Sequence, residues 1–373
     1  MRSPTISALL RWAWAPRIWV ALLPLATVDH PARGADDATV EQVIAAWERR
    51  RESTKCFQYE CELEQSLVKG SRDDASDGFA GARKKSVPPD DIILHRAITF
   101  SLSGEKIAYC EEGEEWDGAS QSRRTTRITA AFDAVVHKQL AQSPSTVTLG
   151  RILRGGQPGD ILTVNATQTA LWLAFSPVAL LERLGYYPEK MTVSRLDAFR
   201  DGHDCAELSI PRRNPSWRAL IYVDRSRGYI PLQFLEELNG VVRREVSIQY
   251  VPHEAVGSRV SAWNDKWFNG SGILNRSSSA KVKRCSINQP LGDEVFTLEF
   301  PEGTHFIEGE EETSKRFVAL ADGERRQISP EEYGMRGPVA RGGGPWIRLL
   351  LGGAGAVLIL ALVFVLRRKR ERR

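Results

Sequence analysis

Residues 217–250, WRALIYVDRSRGYIPLQFLEELNGVVRREVSIQY, carry the alternation that a pleated sheet with one wet face requires. Ile230, Leu232 and Phe234 share one parity, and so do Val242, Val246, Ile248 and Tyr250 on the following strand. Arg243, Glu245, Ser247 and Gln249 take the opposite side of that strand. Asn239-Gly240 supplies the positive φ angles of a tight hairpin between the two strands, and residues 225–228 (RSRG) form a looser turn before them. The stretch therefore predicts three antiparallel strands.

The same period runs through the flanking sequence. Val40, Val43, Ile44 and Trp47 repeat at helical spacing and predict an amphipathic helix over residues 39–52. It leads into a strand over 56–69, in which Phe57, Tyr59, Cys61, Leu63 and Leu67 alternate with Gln58, Glu60, Glu62, Glu64 and Ser66. The acidic row reads as a solvated sheet face, because no histidine accompanies it as a metal ligand would. Residues 70–91 form a polar loop; its DDASDG run lacks an oxygen ligand at the third position of a calcium loop, and Lys84 stands where the bidentate Glu belongs.

Further strands are expected over 92–102 and 105–111, over 134–140 and 146–153, and over 205–210, 259–268, 280–287 and 294–300. A closing hairpin is expected from 317–320 and 325–328. Between them, residues 170–175 are apolar all round, and Ser176-Pro177 reads as the cap and first position of a helix that Gly185 closes. These strands with two segregated helical segments predict an α+β fold: a large curved antiparallel sheet, or incomplete β-barrel, enclosing one or two helices.

Both ends carry membrane-related patterns. Arg2, Arg11 and Arg17 precede the apolar run 18–28, and Ala32 and Gly34 suit a cleavage site, which predicts a secretory signal peptide over 1–34. Residues 349–366 are 18 residues without a charge, about 27 Å as a helix and close to the hydrocarbon thickness. With Trp346 at the interface, a single transmembrane helix is expected over 346–366, followed by a basic cytoplasmic tail over 367–373. The main domain is then 35–334, a Gly/Pro linker 335–345, and residues 35–345 are placed in the periplasm of an inner-membrane-anchored protein. The glycines at 342–344, the span and the arginines also fit a C-terminal sorting signal that is cut before the span; as a flexible tether they serve equally.

The formal charge of +4 is carried by those ends, where residues 1–35 and 367–373 hold ten cations against two anions, so the body between them is net negative. A basic nucleic-acid surface is excluded on that ground. The five cysteines are widely spaced, and Cys56 and Cys61 sit on one strand with opposite parity, too far apart to bond to each other. They read as small buried apolar residues, with long-range bridges as the alternative.

Sequence signatures of chemistry are missing. There is no GxSxG, Walker loop, GxGxxG or HExxH, and the histidines are scattered. Asp201, His203, Asp204 and Cys205 cluster, but adjacent residues on a turn entering a strand diverge, so this is read as a turn. No catalytic, cofactor-binding or metal-binding residue is assigned.

The run from Val223-Asp224 through Pro231 and Asn239-Gly240 to Tyr250 resembles the central region of lipoprotein-sorting proteins of the LolA/LolB-like superfamily. The helix leading into Phe57-Gln58-Tyr59 and the run FTLEFPEGT at 296–304 look similar too. The resemblance loosely covers residues 40–310, and the layout with signal peptide and arginine-tailed span is like that of uncharacterised secreted planctomycete-type proteins. It implies an incomplete barrel whose helices plug a hydrophobic concavity able to hold acyl chains. Phe57, Tyr59, Leu63, Trp172, Phe175, Leu180, Phe234 and Ile248 are the candidate apolar lining. The expected protein is a non-enzymatic, membrane-tethered envelope protein whose partner is a lipid, an acyl chain or a lipoprotein. A structural or sensory ectodomain with a filled core and a protein partner is the alternative, and an envelope hydrolase a third.

Overall fold

A computed structural model of the protein describes residues 39–70, 88–117, 120–144, 146–154, 168–309 and 314–333. The predicted signal peptide, most of the polar loop, the linker, the membrane span and the basic tail lie outside the described residues. Among the described residues no helix is long and apolar enough to cross a membrane.

The alternation read from residues 217–250 extends to sixteen strands in one continuous sheet among the described residues. One meander comprises β1 (Cys56–Leu67), β2 (Ile92–Ser103), β3 (Lys106–Asp117), β4 (Ser122–Phe132), β5 (Val136–Gln142) and β6 (Leu149–Arg154). A second comprises β7 (Thr192–Arg200), β8 (His203–Pro211), β9 (Trp217–Asp224), β10 (Ile230–Leu238), β11 (Val241–His253), β12 (Gly257–Phe268) and β13 (Leu274–Ile287). In each, successive strands pair antiparallel with their sequence neighbours, as short connections favour. The meanders join where β1 pairs antiparallel with β13, Tyr59 standing opposite Cys285 and Gln65 opposite Ser278. Three short strands, β14 (His305–Glu308), β15 (Lys315–Ala319) and β16 (Arg325–Gln327), extend the β6 edge, with β14 parallel to β6. The sheet is curved and open, with β7 and β16 at its two edges.

Three helices pack on its inner face. Helix α1 (Val40–Ser53) starts at a capping box in which Thr39 and Gln42 satisfy each other's backbone N–H groups. It buries Val43, Ala46 and Trp47, and the Trp47 indole donates to the Tyr229 carbonyl at 2.8 Å. Burial of one such large side chain contributes about 3 kcal/mol. Helix α2 (Thr169–Phe175) is buried on every side, as its apolar sequence requires. Helix α3 (Pro177–Arg183) follows after a break at Ser176.

Several expectations are corrected. The strands number sixteen among the described residues, and β4, β7 and β14 were not expected, because their exposed or short sequences carry little alternation. Residues 294–300 are not a strand: a 3-10 turn spans Asp293–Phe296, and Phe296 and Leu298 are buried without ladder pairing. Among the described residues three α-helices are present instead of one or two, and the Ser176 side chain makes no capping bond. Ile230, Leu232 and Phe234 do not share a face. A bulge between Pro231 and Gln233 shifts the register, so Phe234 enters the main core while Ile230 and Leu232 pack with Leu220 and Tyr222 on the other side.

Candidate functional site

All eight residues predicted as apolar lining fall in one contiguous buried cluster on the inner face. Strand β1 supplies Phe57, Tyr59 and Leu63; β10 and β11 supply Phe234 and Ile248; α2 and α3 supply Trp172, Phe175 and Leu180. The Phe175 ring stacks on Phe57 at 4.2 Å, and Trp172 lies tilted against Phe100 at 5.8 Å. Helix α2 thus occupies the middle of the apolar face. Its C-terminal end is held by α1, where Arg50 donates from Nε to the Ala174 carbonyl at 2.8 Å and from Nη2 to the Ser258 carbonyl at 2.6 Å.

Toward the other end of α2 the inner face changes character. Inward parity, apolar at Leu63, Trp263, Val246 and Phe234, is taken over by Gln65 on β1, Ser278 and Arg276 on β13, Asp265 on β12, Arg244 on β11 and Glu236 on β10, all buried. The registers align them side by side: Gln65 with Ser278, Ser278 with Asp265, and Arg244 with Glu236. Arg244 grips Asp265 through Nε at 3.0 Å and Nη2 at 2.7 Å, lies 3.6 Å from Glu236, and donates from Nη2 to the Thr169 hydroxyl at 2.7 Å. Tyr186 completes the group by donating to Glu236 at 2.8 Å. Trp267 lies between two guanidiniums, 4.4 Å from Arg244 and 4.9 Å from Arg276. The first residue of α2 is therefore pinned to a buried ion network.

Electrostatics follow from this burial. Desolvation alone would lower the Arg244 pKa, but the Asp265 and Glu236 carboxylates raise it above its ordinary value, so the charge is held. Burial, then the Glu236 charge, pushes the Tyr186 hydroxyl far up, leaving it a neutral donor. A second inward pair continues the belt on the other meander, where Arg96 of β2 and Tyr109 of β3 both donate to Glu111.

The clustered Asp201, His203, Asp204 and Cys205 resolve into one turn residue, Asp201, and the first three residues of β8. Asp201 and Gly202 take φ of 49° and 84° in the hairpin between β7 and β8, where glycine carries the strain that other residues resist. His203 Nδ1 lies 3.1 Å from Asp224, which also accepts from Ser226 Oγ at 2.7 Å and Arg227 Nε at 2.5 Å and so organises the next turn. Cys205 is wholly buried, and desolvation, then Asp224, raises its thiol pKa, the opposite of what a nucleophile needs. Among the described residues no three His, Cys, Asp or Glu side chains gather as a metal site.

The acidic row of β1 lies on the outer face. Glu62 pairs with Lys283 at 2.7 Å and Glu60 with Arg284 at 3.7 Å, and a groove of about 500 Å³ beside it is lined by Glu62, Glu64, His95, Glu112 and Lys281 among others. Its charges are of both signs and open to water, so it behaves as a solvated surface.

Sequence reasoning missed the polar belt. The signal was present as interruptions of inward parity: Arg244 between Val242 and Val246, Gln65 between Leu63 and Leu67, and Asp265 between Trp263 and Trp267.

No family model and no curated protein matches the chain. Among solved structures, a DUF1329 family protein from Desulfovibrio piger matches with a TM-score of 0.41 at 9% identity, over 69% of this chain and 97% of that one. MucB in complex with MucA(peri) matches at 0.20 and 9% over 75% and 73%. A porin-like protein from Bacteroides uniformis matches at 0.20 and 8% over 61% and 97%. At these scores the likenesses carry no argument about what the chain binds or does.

Proposed function

We propose that this is a non-enzymatic, membrane-tethered envelope protein whose curved sheet takes up the acyl part of a lipid or lipid-modified protein, with α2 as the element that such a ligand displaces. One observation carries the reading. A seven-residue helix, buried on every side and apolar except for Thr169, fills the middle of a contiguous apolar sheet face and is fastened at its ends by side-chain bonds that include Thr169 with Arg244 and Ala174 with Arg50. A helix this short holds little stability of its own, so its place depends on the surface it covers. The lining of the ligand would be Phe57, Tyr59, Leu63, Trp172, Phe175, Leu180, Phe234 and Ile248. The predicted leader and terminal span place the domain outside the cytoplasm, tethered to the inner membrane by the C-terminal helix.

The rival reading is an ectodomain with a filled core that contacts a protein. It is favoured by the depth of burial, since Tyr59 and Phe234 are both 0% exposed. The two separate on one measurement. The full chain in phosphatidylcholine nanodiscs is irradiated with a photoreactive fatty acid, and labelled peptides are mapped. Label on β1 or α2 that unlabelled fatty acid competes away supports acyl binding; label confined to the terminal span defeats it and leaves the filled-core reading.

A further inference from the structure

We infer that the inner face of strands β5, β6, β14 and β15 carries an anion site for a phosphate group, formed by Arg151, Arg316, Tyr333 and Gln139. The inference goes beyond the acyl-binding reading and does not rest on it, because none of these strands contributes to the apolar cluster. Register sets the group. Gln139 of β5 stands opposite Arg151 of β6, Arg151 is paired with Ile307 of the parallel β14, and Ile307 stands opposite Arg316 of β15. Paired residues share a face, and Gln139 also stands opposite Ala130 of the main core, so the row lies on the inner face. The two arginines are two strand spacings apart, about 10 Å at the backbone, with Ile307 between them.

Tyr333 completes the group, with its ring centre 5.9 Å from the Arg316 guanidinium and 6.2 Å from the His305 ring. Burial raises its hydroxyl pKa, and the charges of Arg316 and then Arg151 act against that rise, so both guanidiniums are felt at one oxygen. Gln139 is 3% exposed, and its side-chain NH2 has no hydrogen-bond partner among the described residues. Buried polar atoms are nearly always bonded, and one left alone costs the desolvation of that group.

Charge selects an anion. The ion pairs of this edge join Arg154 and Arg325 to Glu308 on the outer face, and Arg326 to Glu332. Arg151 and Arg316 enter none of them, although both are half-buried. The Arg316 charge also acts on Glu331, which is exposed and bonded to Ser329. Further along the inner face Arg124 is paired with Glu115 and Arg96 with Glu111, and Lys138 donates to the Leu298 carbonyl on the outer side. His137 and His305 share the inward parity and add positive charge when protonated. Two like charges are thus held on one face, where they repel until an anion lies between them. Every group in the row is a donor: two guanidinium forks, a phenolic O–H and an amide NH2. The two forks alone fill the roughly four acceptor positions of a carboxylate. The hydroxyl and the amide need the further oxygens that a phosphate has.

The test titrates the full chain, in phosphate-free dodecyl maltoside micelles, with inorganic phosphate, dioleoylphosphatidate, dioleoylglycerol and oleate, and follows the heat of binding. Phosphatidate and dioleoylglycerol share their acyl chains, so a difference between them reports the phosphate. Phosphatidate is expected to bind at least about tenfold more tightly than dioleoylglycerol. Arg151→Gln and, separately, Arg316→Gln should each weaken it about tenfold, whereas Arg154→Gln on the outer face leaves it unchanged, with a thermal melt checking that each variant is folded. Inorganic phosphate that competes with phosphatidate supports a site for free phosphate as well; phosphatidate bound without such competition supports a site for lipid-borne phosphate. Dioleoylglycerol binding as tightly as phosphatidate, with no inorganic phosphate bound, overturns the inference and leaves acyl binding standing. Absence of binding by both phosphate probes overturns it whether or not dioleoylglycerol binds. Oleate binding as tightly as phosphatidate overturns the phosphate class. These comparisons on the unsubstituted chain decide the matter even where a variant fails to fold.

Discussion

The Arg244 guanidinium and the Asp265 carboxylate face each other through two hydrogen bonds, of 3.0 and 2.7 Å, with side chains only 4% and 3% exposed. This pair sits where the apolar interior ends, and a third bond from the same guanidinium reaches Thr169. Removing the cation leaves Asp265 and Glu236 buried without their partner. Arg244→Met is expected to destabilise the fold by about 3–5 kcal/mol. Substituting Asp265 and Glu236 by leucine in the same chain should recover much of the loss, because a wholly apolar replacement removes the orphaned charges too. Denaturant unfolding of the single and triple variants checks this, and a triple variant no better than the single one would contradict it.

Phe175 is 4% exposed and stacks on Phe57 at 4.2 Å, fastening the far end of α2. Phe175→Ala should cost about 3–5 kcal/mol through lost burial and the cavity left behind. On the acyl-binding reading the same variant should bind an apolar fluorescent probe more strongly than the parent chain at a temperature where both remain folded. Equal probe binding would mean that α2 is fixed core.

Asp224 gives the fold an acid sensitivity. Burial by itself would raise its pKa, but the hydrogen bonds from Ser226 and Arg227 and the Arg227 charge hold it below the ordinary 3.8. A carboxylate depressed in the folded state stabilises above its unfolded pKa, and that stability is lost as pH falls through the folded value. The melting temperature should therefore hold steady from pH 7 to about pH 5 and drop below about pH 4. Asp224→Asn should melt lower at pH 7, with a smaller additional loss in acid; parallel curves for the two chains would exclude Asp224 as a source of the acid loss.

The five cysteines are free, and Cys56, Cys61 and Cys205 are buried while Cys110 and Cys285 are half-buried. Desolvation, then the neighbouring Cys285, pushes the Cys61 thiol up to about 12. Alkylation of the native chain at pH 8 should modify Cys110 and Cys285 first and spare Cys61 and Cys205 until denaturant is added. Rapid modification of Cys205 in the native state would reopen the reading of residues 201–205 as a reactive cluster.

How much of the site was legible in the sequence depends on the residue. Phe57, Tyr59 and Leu63 were recognisable because the pleat places alternate residues together whatever the strand pairs with. Phe234 was recognisable as core, but its grouping with Ile230 and Leu232 was not, because the bulge after Pro231 reverses parity and nothing in the local pattern marks it. Arg244, Asp265 and Glu236 each look, in isolation, like one more surface charge on a strand. Their meaning appears only when three strands are set in register.

The sequence by itself determined the alternation, the hairpin turn at Asn239-Gly240, the amphipathic α1 and the apolar character of α2, since each depends on backbone geometry over a few neighbouring residues. The tertiary structure decided that β1 meets β13 more than two hundred residues away, that the charges interrupting inward parity cancel one another, and that α2 lies between an apolar wall and an ion network. Those outcomes rest on strand order and register, which are set by the packing of the whole sheet and the bulges that adjust it.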